Sequence, residues 1–288
     1  MPLSEFDKSL SPVNYQLLCK MLKEFSGLHL TDHKMYLVET RLQAVAKHYN
    51  FNSLNQLIDG LKGPLFQKLR VDIAEAMATP ETFFFRDKKP FDQFKNFVIP
   101  QMLERHKTVK RLNIWCGACS SGQEPYSIAM MVDELQKTVL KGWQIRIIAS
   151  DFSEKILKRA KAGIYSQFEV QRGLPIQYLM KHFKQESDGW HVKDELKRMI
   201  EFRNFNLLQS PVGLGKMDVV FCRNVLFYFT PEDKGKILNN IASILNPGAM
   251  MFLGSAESTV GCSNAFTGLK EERGIYMKAD DALVALSA

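Results

Sequence analysis

Apolar residues recur at helical spacing through the first quarter of the chain. After a break they fall into brief runs separated by amphipathic segments. In SPVNYQLLCKMLKEFSG, residues 11–27, Leu17, Leu18, Met21, Leu22 and Phe25 form one stripe that Gly27 ends. Thr31 and Asp32 are placed to cap a second helix over 33–50; Ser53 opens a third and Pro64 a fourth that reaches residue 78. Residues 10–78 carry no strand pattern, which predicts a small all-helical domain.

Residues 79–95, TPETFFFRDKKPFDQFK, break this rhythm. Three consecutive Phe beside Arg86 and a Lys-Lys-Pro turn predict a linker packed against something. Beyond it the pattern alternates. Strands are expected at 111–115, 144–149, 200–205, 218–222, 249–254 and 274–278, with helices at 123–140, 154–162 and 231–245. Such alternation implies a mostly parallel sheet covered by helices on both faces. Residues 183–203 differ: an Asp188-Gly189 turn joins short alternating runs, the signal of a hairpin and hence of a small antiparallel insertion. The expected plan is a helical domain over 1–78, a linker over 79–95 carrying Thr82 and Arg86, an α/β domain over 96–279 with the insertion at 183–203, and a tail over 280–288.

Composition narrows the setting. The chain has 288 residues, 45% hydrophobic, and Lys+Arg minus Asp+Glu is 38 − 31 = +7. A basic balance suits an acidic partner, whether nucleic acid, anionic lipid or an acidic protein surface. No apolar run approaches the ~18 residues of a membrane span, and the N-terminus lacks a basic-then-apolar leader. Five cysteines, an odd number, fit a reducing compartment, so a cytoplasmic protein is expected.

The candidate chemistry lies at strand ends. In RLNIWCGACSSGQEPYSIAM, residues 111–130, a strand runs into a loop of small residues and then a helix that tolerates Pro125 in its first turn. Ligands of open α/β sheets bind at such ends, and small residues let the backbone approach them. The loop lacks the Lys-Ser/Thr of a phosphate-binding P-loop, which argues against nucleotide hydrolysis. Asp151 ends the next strand, where an acidic side chain can accept from ribose hydroxyls or simply cap a helix. Asn206-Leu207 and the Arg-Asn pair of CRNVLFYF, residues 222–229, follow two further strands. Cys116 and Cys119 form a Cys-x-x-Cys without the further ligands zinc needs, so no metal is expected.

Taken together, TxFFFR, WCGACSSGQEPYSIAM, ASD and CRNVLFYF make the chain resemble the chemotaxis receptor methyltransferases, the CheR family, over nearly its whole length. The resemblance implies a Rossmann-like S-adenosylmethionine-dependent methyltransferase fold with an all-helical N-terminal domain. It also implies esterification of chemoreceptor glutamates, a protein-glutamate O-methyltransferase, with S-adenosyl-L-homocysteine as the second product. The implied cofactor residues are Thr82, Arg86, Glu124, Asp151, Asn206, Leu207, Asn224 and Val225. Two positions depart from many relatives, which have Asn where this chain has Pro80 and Glu where it has Gln123.

A carboxylate acceptor is ionised at neutral pH and needs no general base. Arg86, to orient a carboxylate, and Tyr228, with a hydroxyl beside the sulfonium, are therefore the expected catalytic residues. The rivals are a nucleic-acid methyltransferase, which would want an Asp/Asn-Pro-Pro-aromatic motif where Cys-Arg-Asn-Val stands, a non-catalytic cofactor sensor, and a dehydrogenase, which would want GxGxxG. Lys34, Arg41 and His48 recur every seven residues on the second helix, so they share a face. A solvated face is the default reading of such a row, but the resemblance implies that it docks the acidic helical bundle of a receptor, with no nucleic acid and no membrane insertion expected. The brief turn at 186–189 predicts that no C-terminal receptor pentapeptide is needed as a tether.

Overall fold

A computed structural model describes residues 6–30, 34–63 and 66–281. The chain forms two compact units, Met1–Pro80 with Tyr228–Thr230, and Glu81–Phe227 with Pro231–Ala288.

The first unit is built from α1 (Pro12–Ser26), α2 (Met35–His48), α3 (Leu54–Asp59) and α4 (Phe66–Met77). Ser11 caps α1 by accepting the Asn14 N–H, and Gly27, with φ of 77°, closes it. Ser53 caps α3 in the same way through the Gln56 N–H. The apolar stripes meet in a core where Leu18, Leu22, Val38, Leu42, Leu57, Ile58, Leu69 and Ile73 are fully buried. The expected caps Thr31, Asp32 and Pro64 lie outside the described residues.

Arg41 corrects an expectation. Its guanidinium donates to Met77 O at 2.6 Å, Ala78 O at 3.3 Å and Thr79 Oγ1 at 3.0 Å. These are acceptors at the C-terminal end of α4, where a cation is favoured. Arg41 is thus a brace between α2 and α4 rather than an uncommitted surface charge. Lys34 is half-buried at the start of α2, and His48 is exposed.

The second unit begins with what was expected to be a linker. Phe84, Phe91 and Phe94 are 0–2% exposed and belong to its core. From Lys89 the segment is helical: α5 (Lys89–Gln93) passes through a π-turn (Phe94–Val98) into α6 (Ile99–Arg105). Phe91 and Phe94 pack on Phe221, which stacks on Phe252 with centroids 4.4 Å apart.

The α/β core then alternates: β1 (Arg111–Gly117), α7 (Gln123–Leu135), β2 (Gln144–Asp151) and α8 (Glu154–Ala162) come first. An outlying stretch follows, with β3 (Ile164–Tyr165), α9 (Gln167–Gln171), α10 (Ile176–His182), β4 (Phe183–Glu186), β5 (Gly189–Val192) and α11 (Asp194–Lys197). The chain returns through β6 (Ile200–Asn204), β7 (Met217–Cys222), α12 (Pro231–Ile244), β8 (Leu245–Leu253), β9 (Phe266–Gly268) and β10 (Ile275–Lys278).

Seven strands form one sheet in the order β6-β2-β1-β7-β8-β10-β9. β6, β2, β1, β7 and β8 are parallel, with β10 and β9 antiparallel at one edge. From β1 the chain moves to one side through β2 and β6 and returns on the other through β7. The carboxyl ends of β1 and β7 therefore flank a topological switch point.

The small insertion is larger than 183–203 suggested. β3 joins the β4–β5 hairpin to give the order β3-β5-β4, whereas β6 belongs to the main sheet. The hairpin turn is Ser187-Asp188, as Glu186 pairs with Gly189. Gly189 has φ of 144°, and a Cβ there would lie 2.7 Å from Tyr165 O, so this corner requires glycine.

Candidate cofactor site

The loop after β1 has positive φ at alternate residues, 56° at Ala118, 50° at Ser120 and 96° at Gly122. Alternation of this kind turns main-chain N–H groups into a concave nest that suits an anion. The nest receives Asp151: Ser120 N donates to its Oδ2 at 2.9 Å and Ser153 N to its Oδ1 at 3.1 Å. Cys119 N reaches Ser150 O at 2.8 Å, and the Trp115 indole N–H reaches Ser150 Oγ at 2.9 Å. Asp151 is thus first an anchor that joins the β1 and β2 loops. An acid at the end of this strand is also the usual acceptor for a ribose hydroxyl in open α/β sheets.

On the other side of the switch point, a second carboxylate does similar work. Glu257, after β8, accepts Asn224 N and Gly254 N on Oε2 and Val225 N and Leu226 N on Oε1, all at 2.7–2.8 Å. These bonds hold Asn224 at φ of 59°. A Cβ on Gly254 would meet Asn224 Nδ2 and Glu257 Oε2 at 2.7 Å, which is why the β8 loop starts with glycine.

The third element is the strap 81–88. Phe84 is buried edge-on against Tyr165 and Phe183, and a Cβ on Gly173 would run into its carbonyl. Phe85 stacks on Tyr178 and gives its N–H to Ser127 Oγ at 3.0 Å. Phe85, Asp87 and Lys88 all have φ between 43° and 68°, a conformation that outside contacts must hold. Arg86 donates to Glu81 O at 2.6 Å and lies over Phe83, and Thr82 is half-buried nearby in sequence.

A buried arginine joins strap and crevice. Arg223 donates from Nη1 to Glu124 Oε2 at 2.7 Å, and from Nη2 to Arg86 O at 2.9 Å and Asp87 Oδ2 at 2.7 Å. Burial pushes the Glu124 carboxyl above its usual range, and Arg223 and then Arg86 pull it part of the way back. Gln123 is buried too, accepting Ser121 Oγ–H at 2.7 Å and donating toward Glu169 Oε1 at 3.4 Å. With Glu169 beside it, an amide suits this position better than a second carboxylate would. Asn206 makes an Asx turn by accepting Leu208 N at 3.0 Å. Leu207 is buried, with Cδ2 3.3 Å from the place of a Cβ on Gly117. Cys116 and Cys119 are buried thiols held well above their ordinary range by that burial.

The sequence-predicted residues Thr82, Arg86, Glu124, Asp151, Asn206, Leu207, Asn224 and Val225 all belong to the second unit: Thr82 and Arg86 on the strap, Glu124 in the first turn of α7, Asp151 at the end of β2, and the others in loops after β6 and β7. Tyr228 groups instead with the helical unit, where its carbonyl accepts the His29 N–H at 2.9 Å. Sequence reasoning missed Glu257 and the bracing role of Arg223. The Arg-Asn pair after an apolar strand was the available signal for the second; nothing local marks the first.

The sheet order, the small-residue nest and the acid at the end of β2 define an S-adenosylmethionine-dependent methyltransferase. The donor set fits that cofactor: a cation on the strap for a carboxylate, acids at Glu124 and Asp151 for ammonium or hydroxyl groups, and glycine at 117 where a side chain would fill the floor. The chain belongs to the CheR methyltransferases, residues 80–275 matching the CheR methyltransferase SAM binding domain and residues 14–77 its all-alpha domain. It is 38% identical over 274 residues to chemotaxis protein methyltransferase Cher2 of Pseudomonas putida, covering 94% of this chain and 99% of that one. It is also 38% identical to chemotaxis protein methyltransferase 1 of Vibrio cholerae, covering 94% and 98%. Magnesium protoporphyrin IX methyltransferase from Synechocystis, with bound SAM, is 16% identical and superposes with a TM-score of 0.31 over 80% of this chain and 81% of that one, too loosely to carry an argument. The protein is therefore a methyltransferase of chemotaxis that uses S-adenosylmethionine.

Proposed function

We propose that the protein methylates glutamate side chains of chemoreceptors in the cytoplasm, forming methyl esters. The observation that carries this reading is the cationic strap: Arg86 is fixed beside Glu124 by Arg223 at the edge of the crevice. The bound cofactor supplies an electrophilic methyl on a positive sulfur. Arg86 and Thr82 hold its carboxylate end, Glu124 its ammonium, Asp151 its ribose, and Asn206, Leu207, Asn224 and Val225 its adenine side. A glutamate acceptor arrives ionised, with a reference pKa near 4.3, so no residue has to remove a proton. The work of the chain is alignment and exclusion of water. Arg86 is assigned to orienting the acceptor.

Docking on the acidic receptor bundle is assigned to α2, with Lys34 as the contact and Arg41 as the brace that holds the helix on α4. β4 is an outer strand of its small sheet, and the two-residue turn beside it leaves little room for an added strand. The enzyme is therefore expected to work without a receptor pentapeptide tether, and calorimetry with such a peptide should show no heat. Incubation with methyl-labelled cofactor and either receptor-bearing membranes or RNA tests the whole reading. Base-labile label should enter the receptor alone, and label in RNA would refute it.

A further inference from the structure

We propose that Arg223 is a positioning residue for methyl transfer, setting Arg86 by gripping the strap's main chain and fastening it to Glu124. The inference rests on the reading that Arg86 serves the cofactor crevice.

Three features support it. First, the Arg223 side chain is 1% exposed, yet its three bonds reach segments 99 to 137 residues away in sequence. A buried guanidinium holds its fork rigidly and matches several acceptors at once. Second, one bond is to the carbonyl of Arg86 itself and another to the neighbouring Asp87 carboxylate. The strap there has positive φ at Phe85, Asp87 and Lys88, so local preference does not hold it; the grip of Arg223, the Ser127 bond to Phe85 N and the bed of Gly173 under Phe84 do. Third, Arg223 Nε is buried without a hydrogen-bond partner, and the guanidinium lies over Phe91. A side chain selected only for stability would gain from a partner at that donor; here the geometry satisfies the strap and Glu124 and leaves Nε unmatched.

Charge completes the picture. Arg86 and Arg223 face Glu124 and Asp87, two cations against two anions. Arg223 is the hydrogen-bond partner of both acids, so Arg86 keeps the donors that its bond to Glu81 O does not use for a ligand carboxylate.

The test is a double-mutant cycle on the full chain, with Arg223→Lys, Arg86→Ala and the pair. Lysine keeps the charge but cannot reach the three acceptors in one fork. Affinity for S-adenosylhomocysteine is read by calorimetry, single-turnover methylation with receptor-bearing membranes, and folding by thermal melting. Arg223→Lys alone should weaken affinity and slow turnover by about tenfold or more. In the Arg86→Ala background the same change should cost severalfold less, because the part that acts through Arg86 is gone and only the hold on Glu124 remains. Asp87→Asn, at a half-exposed position that does not threaten the fold, should give a smaller loss in the same direction. Equal losses from Arg223→Lys in both backgrounds, or none in either, would overturn the proposal. A wild-type protein that binds the product but methylates no receptor would instead refute the substrate reading, leaving the affinity arm of the cycle to decide on Arg223.

Discussion

The two walls of the crevice are held by different kinds of bond. On the sheet side, Asp151 and Glu257 are anchored by main-chain N–H groups, two for the first and four for the second. On the strap side, Glu124 and Asp87 are anchored by a charged side chain, Arg223. The first arrangement involves neutral donors of fixed geometry and no rival charge, so it defines loop shape. The second balances formal charges in a buried place, where removing one partner leaves the other uncompensated. On the proposed assignment, loop shape serves the adenosine end of the cofactor and charge balance the end near the chemistry.

Breaking the sheet-side wall should have the largest effect on stability. Glu257→Ala removes one acceptor from four N–H groups and releases Asn224 from its left-handed conformation. The expected loss is about 3 kcal/mol, read from urea unfolding, with loss of S-adenosylhomocysteine binding. A variant as stable as the parent would show that solvent replaces the carboxylate, and that loop shape does not depend on it. Asp151→Ala comes next. Ser120 and Ser153 are 8% and 6% exposed, so their N–H groups would be poorly solvated, at about 2 kcal/mol. Affinity for the product should fall about tenfold or more, because a ribose acceptor and the nest's filling anion go together. Unchanged calorimetric affinity would remove Asp151 from the cofactor site.

Much of the sheet-side architecture was legible in the chain. The parallel alternation, the Asp188-Gly189 hairpin and the acid at the end of β2 all follow from local period and turn chemistry. What was illegible depends on distance in sequence. Three of the four N–H groups that Glu257 accepts lie 31 to 33 positions earlier, and Arg223 reaches residues 99 to 137 positions earlier. β3 is two residues long and exists only because β5 offers an edge. Pro and Lys punctuate residues 79–95 like a linker and its Phe run predicts that it packs against something, but not where: Phe84, Phe91 and Phe94 meet Tyr165, Phe183 and Phe221 far downstream. Arg41 looked like one of a basic row because spacing reports a face but not the acceptors, at residues 77–79, that the face meets.

A smaller, pH-dependent effect probes the strap side. Gln123→Glu places a second carboxylate beside Glu169. Like charge raises the folded pKa of the new acid above its unfolded value. Its relative contribution to stability is therefore most favourable below the unfolded value and is lost as pH rises through the folded one. The variant should be less stable than the parent by about 1 kcal/mol at pH 7 and close to it at pH 4. A constant difference between the two pH values would mean that packing, not charge, accounts for the amide.

The smallest effect on stability and the largest contrast with Glu257 are expected at Arg86. Its guanidinium makes a bond to Glu81 O and lies over Phe83, but the strap's position is fixed by other groups: Phe84 in the core, Phe85 N on Ser127, and Arg223 on the Arg86 carbonyl. That carbonyl survives truncation of the side chain. Arg86→Ala should therefore unfold within about 0.5 kcal/mol of the parent. Turnover depends on the cation itself, since no other strap side chain offers a planar fork to a carboxylate. Methylation of receptor membranes should fall by most of its rate, with Arg86→Lys recovering a part of it. A fully active Arg86→Ala protein would show that the charged wall serves only the fold, and the distinction between the two walls would collapse.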